Sequence, residues 1–313
     1  MVAHNMKPHS NPYDLMLAGA MSGFVTRAAC QPLDVLKIRF QLQVEPISKK
    51  YPSKYRSLFQ ATKLIIKEEG ARALWKGHVP AQLLSVTYGL VQFWSFDIFV
   101  NKLKKFNLDL RYKPLVTFTC GALAGCSATL ASFPFDVIRT RLVAQSENKM
   151  IYKGVLRAFI YTFRHENFFV LYRGVLPTFI QVAPHAGAQF MCYKFFDGLY
   201  RSFFKIDQFT YTLTGSLISG SLAGLVAKTL IYPFDLVKKR MQIQGVQHFR
   251  VEFGQMFVCR GMLDCFKKIL YVEGPLGLFK GLNPSLWKAV FTTALHFTTY
   301  EAFIAILRDF RRK

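Results

Sequence analysis

Three octapeptides carry the residues best placed to do chemistry: PLDVLKIR at 32–39, PFDVIRTR at 134–141 and PFDLVKKR at 233–240. Each sets an aspartate two residues after a proline, then a cation three residues on and another two beyond that. Carboxylate and cation at i, i+3 share a helix face, so Asp34 with Lys37, Asp136 with Arg139, and Asp235 with Lys238 can pair locally. Three registered copies leave a second geometry open. Each helix could offer both signs to its neighbours, and the six side chains would then close a ring. Neither arrangement is catalytic. The chain has no Gly-rich phosphate loop, nucleophile elbow or paired catalytic carboxylates, so a non-enzyme without a cofactor is expected. Its six cysteines form no CxxC and no Cys/His metal spacing, and read as small, reduced apolar residues.

The elements that must position these charges repeat with them. Glycines stand nine and thirteen residues before each motif proline (Gly23 and Gly19, Gly125 and Gly121, Gly224 and Gly220), a GxxxG pattern suited to close helix approach in lipid. A second landmark, EGARALWKG (69–77), ENFFVLYRG (166–174) and EGPLGLFKG (273–281), runs from a carboxylate to aromatic–cation–Gly. Between the landmarks, apolar residues recur at helical spacing over 55–67, 152–164 and 260–271. The chain thus divides into repeats at 1–111, 112–206 and 207–313, each with two long apolar helices and a short amphipathic one.

Windows 78–96, 114–135, 175–193 and 208–227 contain no charged residue, and 14–36 and 282–306 are interrupted by few, notably Arg27 and Lys288. About 20 apolar residues span a bilayer core, so six membrane spans are expected. The 313-residue chain is 51% hydrophobic yet carries a net charge of +23. A basic nucleic-acid-binding protein would explain the charge but not the apolar bulk, and no nucleic-acid partner is expected. The first residues, MVAHNMKPHSNPYD, read as neither a secretory signal nor an Arg-rich transit peptide.

The threefold Pro-x-Asp-x-x-Lys/Arg-x-Lys/Arg motif resembles that of the mitochondrial carrier family, over nearly the whole chain. The resemblance implies an all-α membrane protein: six transmembrane helices in three tandem two-span repeats, with three-fold pseudosymmetry and short matrix helices around a water-filled cavity. It implies a monomer in the mitochondrial inner membrane. It further implies a matrix gate of Asp34–Arg139, Asp136–Lys238 and Lys37–Asp235. Gln41 and Gln242 resemble the family's glutamine braces, and Val143 stands at the third such position. On the cytoplasmic side the family's carboxylate positions hold Asp97, Lys194 and Glu301, followed by Val100, Asp197 and Ile304 where cations are usual. That gate is expected to hold few polar links.

Ionisable residues inside spans are functional candidates. Arg27 and Lys228 lie five residues before their motif prolines, with Thr129 at the third such position. Lys288 lies seven residues past Gly281, where the other repeats have Leu84 and Gln181. By resemblance, Leu84, Gln181 and Lys288 are the family's substrate contact points. Three cations facing one cavity suit an anion of multiple charge. Ser85, Tyr88, Gln92, His185, Gln189 and His296 follow on the same faces and could meet a heterocycle. The stretches WKGHVPAQLLSVTYGLVQF, YPFDLVKKRMQ and FKGLNPSLWKA resemble the family's thiamine pyrophosphate-carrying members more than its adenine nucleotide members. That implies thiamine pyrophosphate as the transported substrate, exchanged against a matrix thiamine phosphate or nucleotide; another phosphorylated heterocycle, a nucleotide or coenzyme A, is the alternative. Basic loop residues (Lys49, Lys50, Lys54, Arg56, Lys149, Lys153, Arg250, Arg260) suit anionic headgroups. Tyr152-Lys153-Gly154 and the aromatic–cation–Gly sites resemble the family's cardiolipin clamps, with Asn167 replacing a glycine in repeat 2.

Overall fold

The computed structural model describes residues 12–44, 53–104, 113–145, 152, 154–204, 213–245 and 258–312. Six long helices, α1 (Pro12–Leu42), α3 (His78–Lys104), α4 (Lys113–Ala144), α6 (Val175–Phe204), α7 (Leu213–Gln242) and α9 (Leu282–Arg312), alternate with short ones after every first helix of a repeat. The short helices are α2 (Leu58–Glu69), α5 (Val155–His165) and α8 (Met262–Glu273), each followed by a 3-10 turn. Among the described residues there is no strand. The repeat boundaries at 111/112 and 206/207 lie outside the described residues, as do Lys49, Lys50, Lys149, Lys153 and Arg250.

Each first helix of a repeat runs on past its proline to the end of the charged motif, so both charges sit within regular helix. Proline leaves the carbonyl four residues earlier without its helical partner. In repeat 1 that carbonyl, Ala28, accepts from Trp75 Nε1 at 3.1 Å. The short helices begin about three residues later than the periodicity suggests, because the preceding residues are held extended by the end of the long helix. Gln43 accepts from the Tyr55 N–H at 2.8 Å and donates to its carbonyl at 3.3 Å. Gln145 does the same to Tyr152, at 3.1 and 2.8 Å.

By length and apolarity α3, α4, α7 and α9 qualify as membrane spans. The helices α1 and α6 match them in length but carry more polar residues, including Asp14, Arg27 and the motif charges in α1 and Gln181, His185 and Gln189 in α6. None of the apolar window of α9 is buried inside the protein. A surface that apolar needs lipid rather than water around it.

The closest packing lies between repeats: α3 on α4, α6 on α7, and α9 on α1, which closes the six helices into a ring. The glycines expected to mediate this do not. A methyl group added at Gly19, Gly23, Gly121, Gly125 or Gly224 would meet nothing within 4 Å, and at Gly220 only Tyr193, at 3.9 Å. The buried small residues stand one position earlier: Ala18 and Ser22, Cys120 and Ala124, Ser219 and Ala223. Ser22 shows the contact directly, meeting the His296 carbonyl at 2.8 Å and the Thr299 hydroxyl at 2.8 Å across the α1–α9 seam. One residue along a helix turns the side chain by about 100°, enough to exchange a seam for a neighbouring face.

At the motif end α1, α4 and α7 meet around a plug of Val35, Ile38, Leu42, Val143, Ala144 and Ile243. Outside it, each repeat is tied by its second motif cation and the carboxylate of its second landmark. Arg39 forms a bidentate pair with Glu69, at 2.6 and 2.8 Å, and Lys76 joins at 2.6 Å. Arg141 grips Glu166 at 2.8 and 2.9 Å. Arg240 grips Glu273, which Lys280 also meets. Burial alone would raise the Glu69 carboxyl, but the Arg39 and Lys76 bonds outweigh it and hold it below the usual carboxylate range. A carboxyl lowered in this way contributes stability at neutral pH that is lost only as pH falls through the lowered value. Removing one partner of a buried pair costs about 3–5 kcal/mol. Arg240 and Glu273 are 0% and 1% exposed at their side chains, so Glu273→Gln should lower the thermal unfolding temperature clearly. Asp264→Asn, which breaks the exposed Lys268 pair on α8, should leave it nearly unchanged.

Candidate functional site

Where α1, α4 and α7 converge, the motif charges pair between helices. Arg139 Nη2 lies 2.5 Å from Asp34, Lys238 Nζ 2.9 Å from Asp136, and Lys37 Nζ 3.2 Å from Asp235. Among the described residues, no motif aspartate pairs with the cation three residues along its own helix. The ring therefore joins α1 to α4, α4 to α7 and α7 to α1.

Every carboxylate also holds a second cation. Lys288 from α9 reaches Asp34 at 2.6 Å, Lys228 reaches Asp235 at 2.7 Å, and Lys239 reaches Asp136 at 2.8 Å. Lys239 is buried and also donates to Thr140 Oγ1 and Gln242 Oε1, at 2.9 Å each. Sequence reasoning passed over Lys239. Its signal was available: Ile38 and Thr140 occupy that position in the other repeats, so the lysine breaks the pattern.

The two glutamines behave differently. Gln242 Nε2 donates to Asp136 at 2.8 Å while its oxygen accepts from Lys239 and Thr140. Gln41 is fully buried, but neither amide atom has a hydrogen-bond partner in ordinary geometry. Val143, at the third position, joins the apolar plug.

The residue before each proline fixes its helix to the second landmark, another link that sequence reasoning missed. Gln31 Nε2 donates to the Lys76 carbonyl at 2.8 Å, and Tyr232 Oη to the Lys280 carbonyl at 2.9 Å. Phe133 has no such donor and stacks on Tyr172 with ring centroids 6.4 Å apart. The second cations reach across repeats too. Arg141 donates to the Gln242 and Gln244 carbonyls, and Arg240 to those of Gln41 and Gln43, satisfying carbonyls at the C-terminal ends of α7 and α1.

Of the asymmetric residues, the structure brings Lys288 and Lys228 to the ring. Arg27, half-buried, donates from Nη1 to the Ala81 carbonyl at 3.2 Å. Ser85 bonds back to the same carbonyl at 3.3 Å, and His296 Nδ1 lies 3.1 Å from Ser22 Oγ. Leu84, Tyr88, Gln92, Gln181 and His185 are half-buried and Gln189 is exposed; Gln181 Oε1 is a buried atom without a partner. At the opposite end of the ring, Asp97, Lys194 and Glu301 are all exposed, and none makes an ion pair among the described residues. Asp197 is held by Arg201 at 2.7 Å. The motif end is closed by bonds and plug, and among the described residues the other end has no such closure.

Gly77, Gly174 and Gly281 let α3, α6 and α9 start against this ring. All three have positive φ, and a methyl group there would come within 3.3, 3.0 and 3.0 Å of the backbone carbonyls of Arg139, Lys238 and Lys37. Each glycine thus abuts the backbone of a ring cation on the next repeat. Gly281→Ala, which would also press on Tyr232 Oη, should lower the unfolding temperature. Gly89→Ala, set in open space on α3, should not; equal effects of the two would contradict the close approach.

A family model described as mitochondrial carrier protein matches residues 8–107, 111–203 and 209–311. The chain is 43% identical over 316 residues to the mitochondrial thiamine pyrophosphate carrier of Homo sapiens, covering all of this chain and 98% of that protein. It is 38% identical over 313 residues to mitochondrial thiamine diphosphate carrier 2 of Zea mays, covering 91% of each. With mitochondrial thiamine pyrophosphate carrier 1 of Coccidioides immitis the identity is 33% over 320 residues, covering 99% of this chain and 97% of the relative. With three motif copies, six long helices in a closed ring and a family match to every repeat, the chain belongs to the mitochondrial carrier family.

Proposed function

We propose that this protein carries thiamine pyrophosphate across the mitochondrial inner membrane by alternating access, in exchange for a matrix thiamine phosphate or nucleotide. Relatives that match over nearly their full length bear that substrate in their names. The observation that carries the mechanism is the sharing of lysines. Lys288 and Lys228, half-exposed, rest on two of the three ring carboxylates. A pyrophosphate entering from the unlinked end meets these lysines and competes with Asp34 and Asp235 for them. Arg27, in the neighbouring turn of α1, adds a third positive charge. Binding therefore draws on the same interactions that secure the closed end, and a ligand shifts a conformational equilibrium only through such differential contacts.

In this reading the ring is the matrix gate and the structure is the cytosol-open state. The polar groups of Tyr88, Gln92, His185 and Gln189 receive the heterocycle. The gate at Asp97, Lys194 and Glu301 closes chiefly by packing, because its charges cannot complete a ring. One chain closes the helix ring by itself, so the working unit is a monomer. Cardiolipin phosphates bind at the starts of α3, α6 and α9, where backbone N–H groups point outward; Lys76 and Lys280 are already occupied by Glu69 and Glu273.

Proteoliposomes loaded with thiamine monophosphate or ADP should take up labelled thiamine pyrophosphate; exchange of ADP or coenzyme A with no uptake of thiamine pyrophosphate would overturn the substrate. Lys288→Ala should abolish exchange while leaving thermal stability largely intact, since Asp34 keeps Arg139. Uptake at the wild-type rate by that variant would remove Lys288 from the binding site.

A further inference from the structure

Repeats 1 and 2 each pack a tyrosine with an alanine where the chain enters its short helix. Tyr55 shares a buried cluster with Ala61, and Tyr152 with Ala158. The corresponding residues of repeat 3 are Cys259 and Cys265, separated in sequence by the same interval and buried with Leu236, Val237, Ile269 and Leu278. The backbone carrying the first residue is fixed alike in all three repeats. Gln244 donates to the Cys259 carbonyl at 2.8 Å and accepts from its N–H at 3.0 Å, as Gln43 and Gln145 do to the tyrosines. Two positions that hold a tyrosine and an alanine in the other repeats thus hold two thiols here. Both cysteines are reduced and share one buried cluster. The other four cysteines, Cys30, Cys120, Cys126 and Cys192, lie in the long helices.

Cys259 also lines a pocket of about 440 Å³ with Arg173, Met241, Gln244, Gly245, Val258 and Arg260, which is partly open to the surface. Cys259 thus borders a space that a small oxidant can enter, whereas Cys265 is fully buried and borders none of it.

We propose that Cys259 and Cys265 form a redox-active dithiol that closes to an intramolecular disulfide under peroxide, stapling the segment held by Gln244 to the first turn of α8. The neighbouring Cys265 lowers the Cys259 thiol from its ordinary value, while Cys259 and burial raise Cys265. Cys259 is therefore the attacking thiolate. Its sulfur takes one oxygen of hydrogen peroxide, the O–O bond breaks, and the departing hydroxide leaves as water. Cys265 then attacks the sulfenic sulfur, the S–O bond breaks, and a second water leaves with the Cys265 proton. Two thiols and one peroxide give one disulfide and two waters. Repeats 1 and 2 lack both sulfurs and have no counterpart of this link.

Trypsin provides a direct test, because it cleaves after Arg260 and Lys267 and separates VEFGQMFVCR (251–260) from GMLDCFK (261–267). The full-length protein in detergent would be treated with hydrogen peroxide, its remaining thiols blocked, and the digest read by mass. The two peptides should appear joined, and dithiothreitol should release them. Oxidation should also raise the unfolding temperature of the wild type but not of Cys265→Ala or Cys259→Tyr, which restore the residues of the other repeats. Recovery of both peptides singly blocked, or of Cys259 joined to another cysteine, would overturn the pair. Linkage without a rise in unfolding temperature would overturn its stapling role.

Discussion

Three aspartates stand where three helices meet, Asp34 and Asp136 buried and Asp235 largely so, and a carboxylate withdrawn from water is tolerated only when a cation reaches it. Asp34, Asp136 and Asp235 are each satisfied by a cation from the first helix of the next repeat. The remaining geometry follows from that requirement. The motif helices must run on past their prolines to bring both signs to the axis. Gly77, Gly174 and Gly281 must lack side chains so that the second helix of each repeat can start against a ring cation. The outer Arg–Glu pairs hold each short helix so that the ends of the long ones are fixed.

The ring holds more positive charge than it needs. Its three carboxylates meet six cations, and the three extra ones differ in kind. Lys239 is buried with Gln242 and Thr140 and belongs to the α4–α7 seam alone. Lys288 and Lys228 remain partly exposed and are open to competition from an anion. The seams on either side of α1, through Asp34 and Asp235, are thus the ones a substrate can disturb. In the proposed mechanism the threefold parts serve closure, and the exceptions to threefold symmetry decide what opens it.

Much of this was legible in the sequence, for identifiable reasons. Charges in registered triplicate imply one shared geometry, and the local i, i+3 alternative gives way to it because each aspartate has a nearer cation on the neighbouring helix. The helices, the short amphipathic elements, and Lys228 and Lys288 as exceptions to the repeat were readable from spacing, and Lys239 was passed over. Other features were not. The GxxxG glycines pointed to the seams, yet the seams use Ala18, Cys120, Ser219 and their partners one residue earlier; a repeated small residue marks a face without saying what it faces. Gln41 and Gln242 occupy equivalent positions, yet only Gln242 has a second cation and a threonine beside it to complete its bonds. The roles of Arg39, Arg141 and Arg240 required the Glu69, Glu166 and Glu273 positions in space, although both sets repeat in the sequence.

In the proposed mechanism the closed ring and the anion site are one electrostatic object, joined by Lys288 on Asp34. Thiamine pyrophosphate can be titrated calorimetrically into Asp34→Asn, Lys288→Gln and the double variant. Asp34→Asn should bind more tightly, because Lys288 is released to the substrate, and the gain should be much smaller when the same change is made in Lys288→Gln. Equal gains in both backgrounds, or none in either, would contradict it.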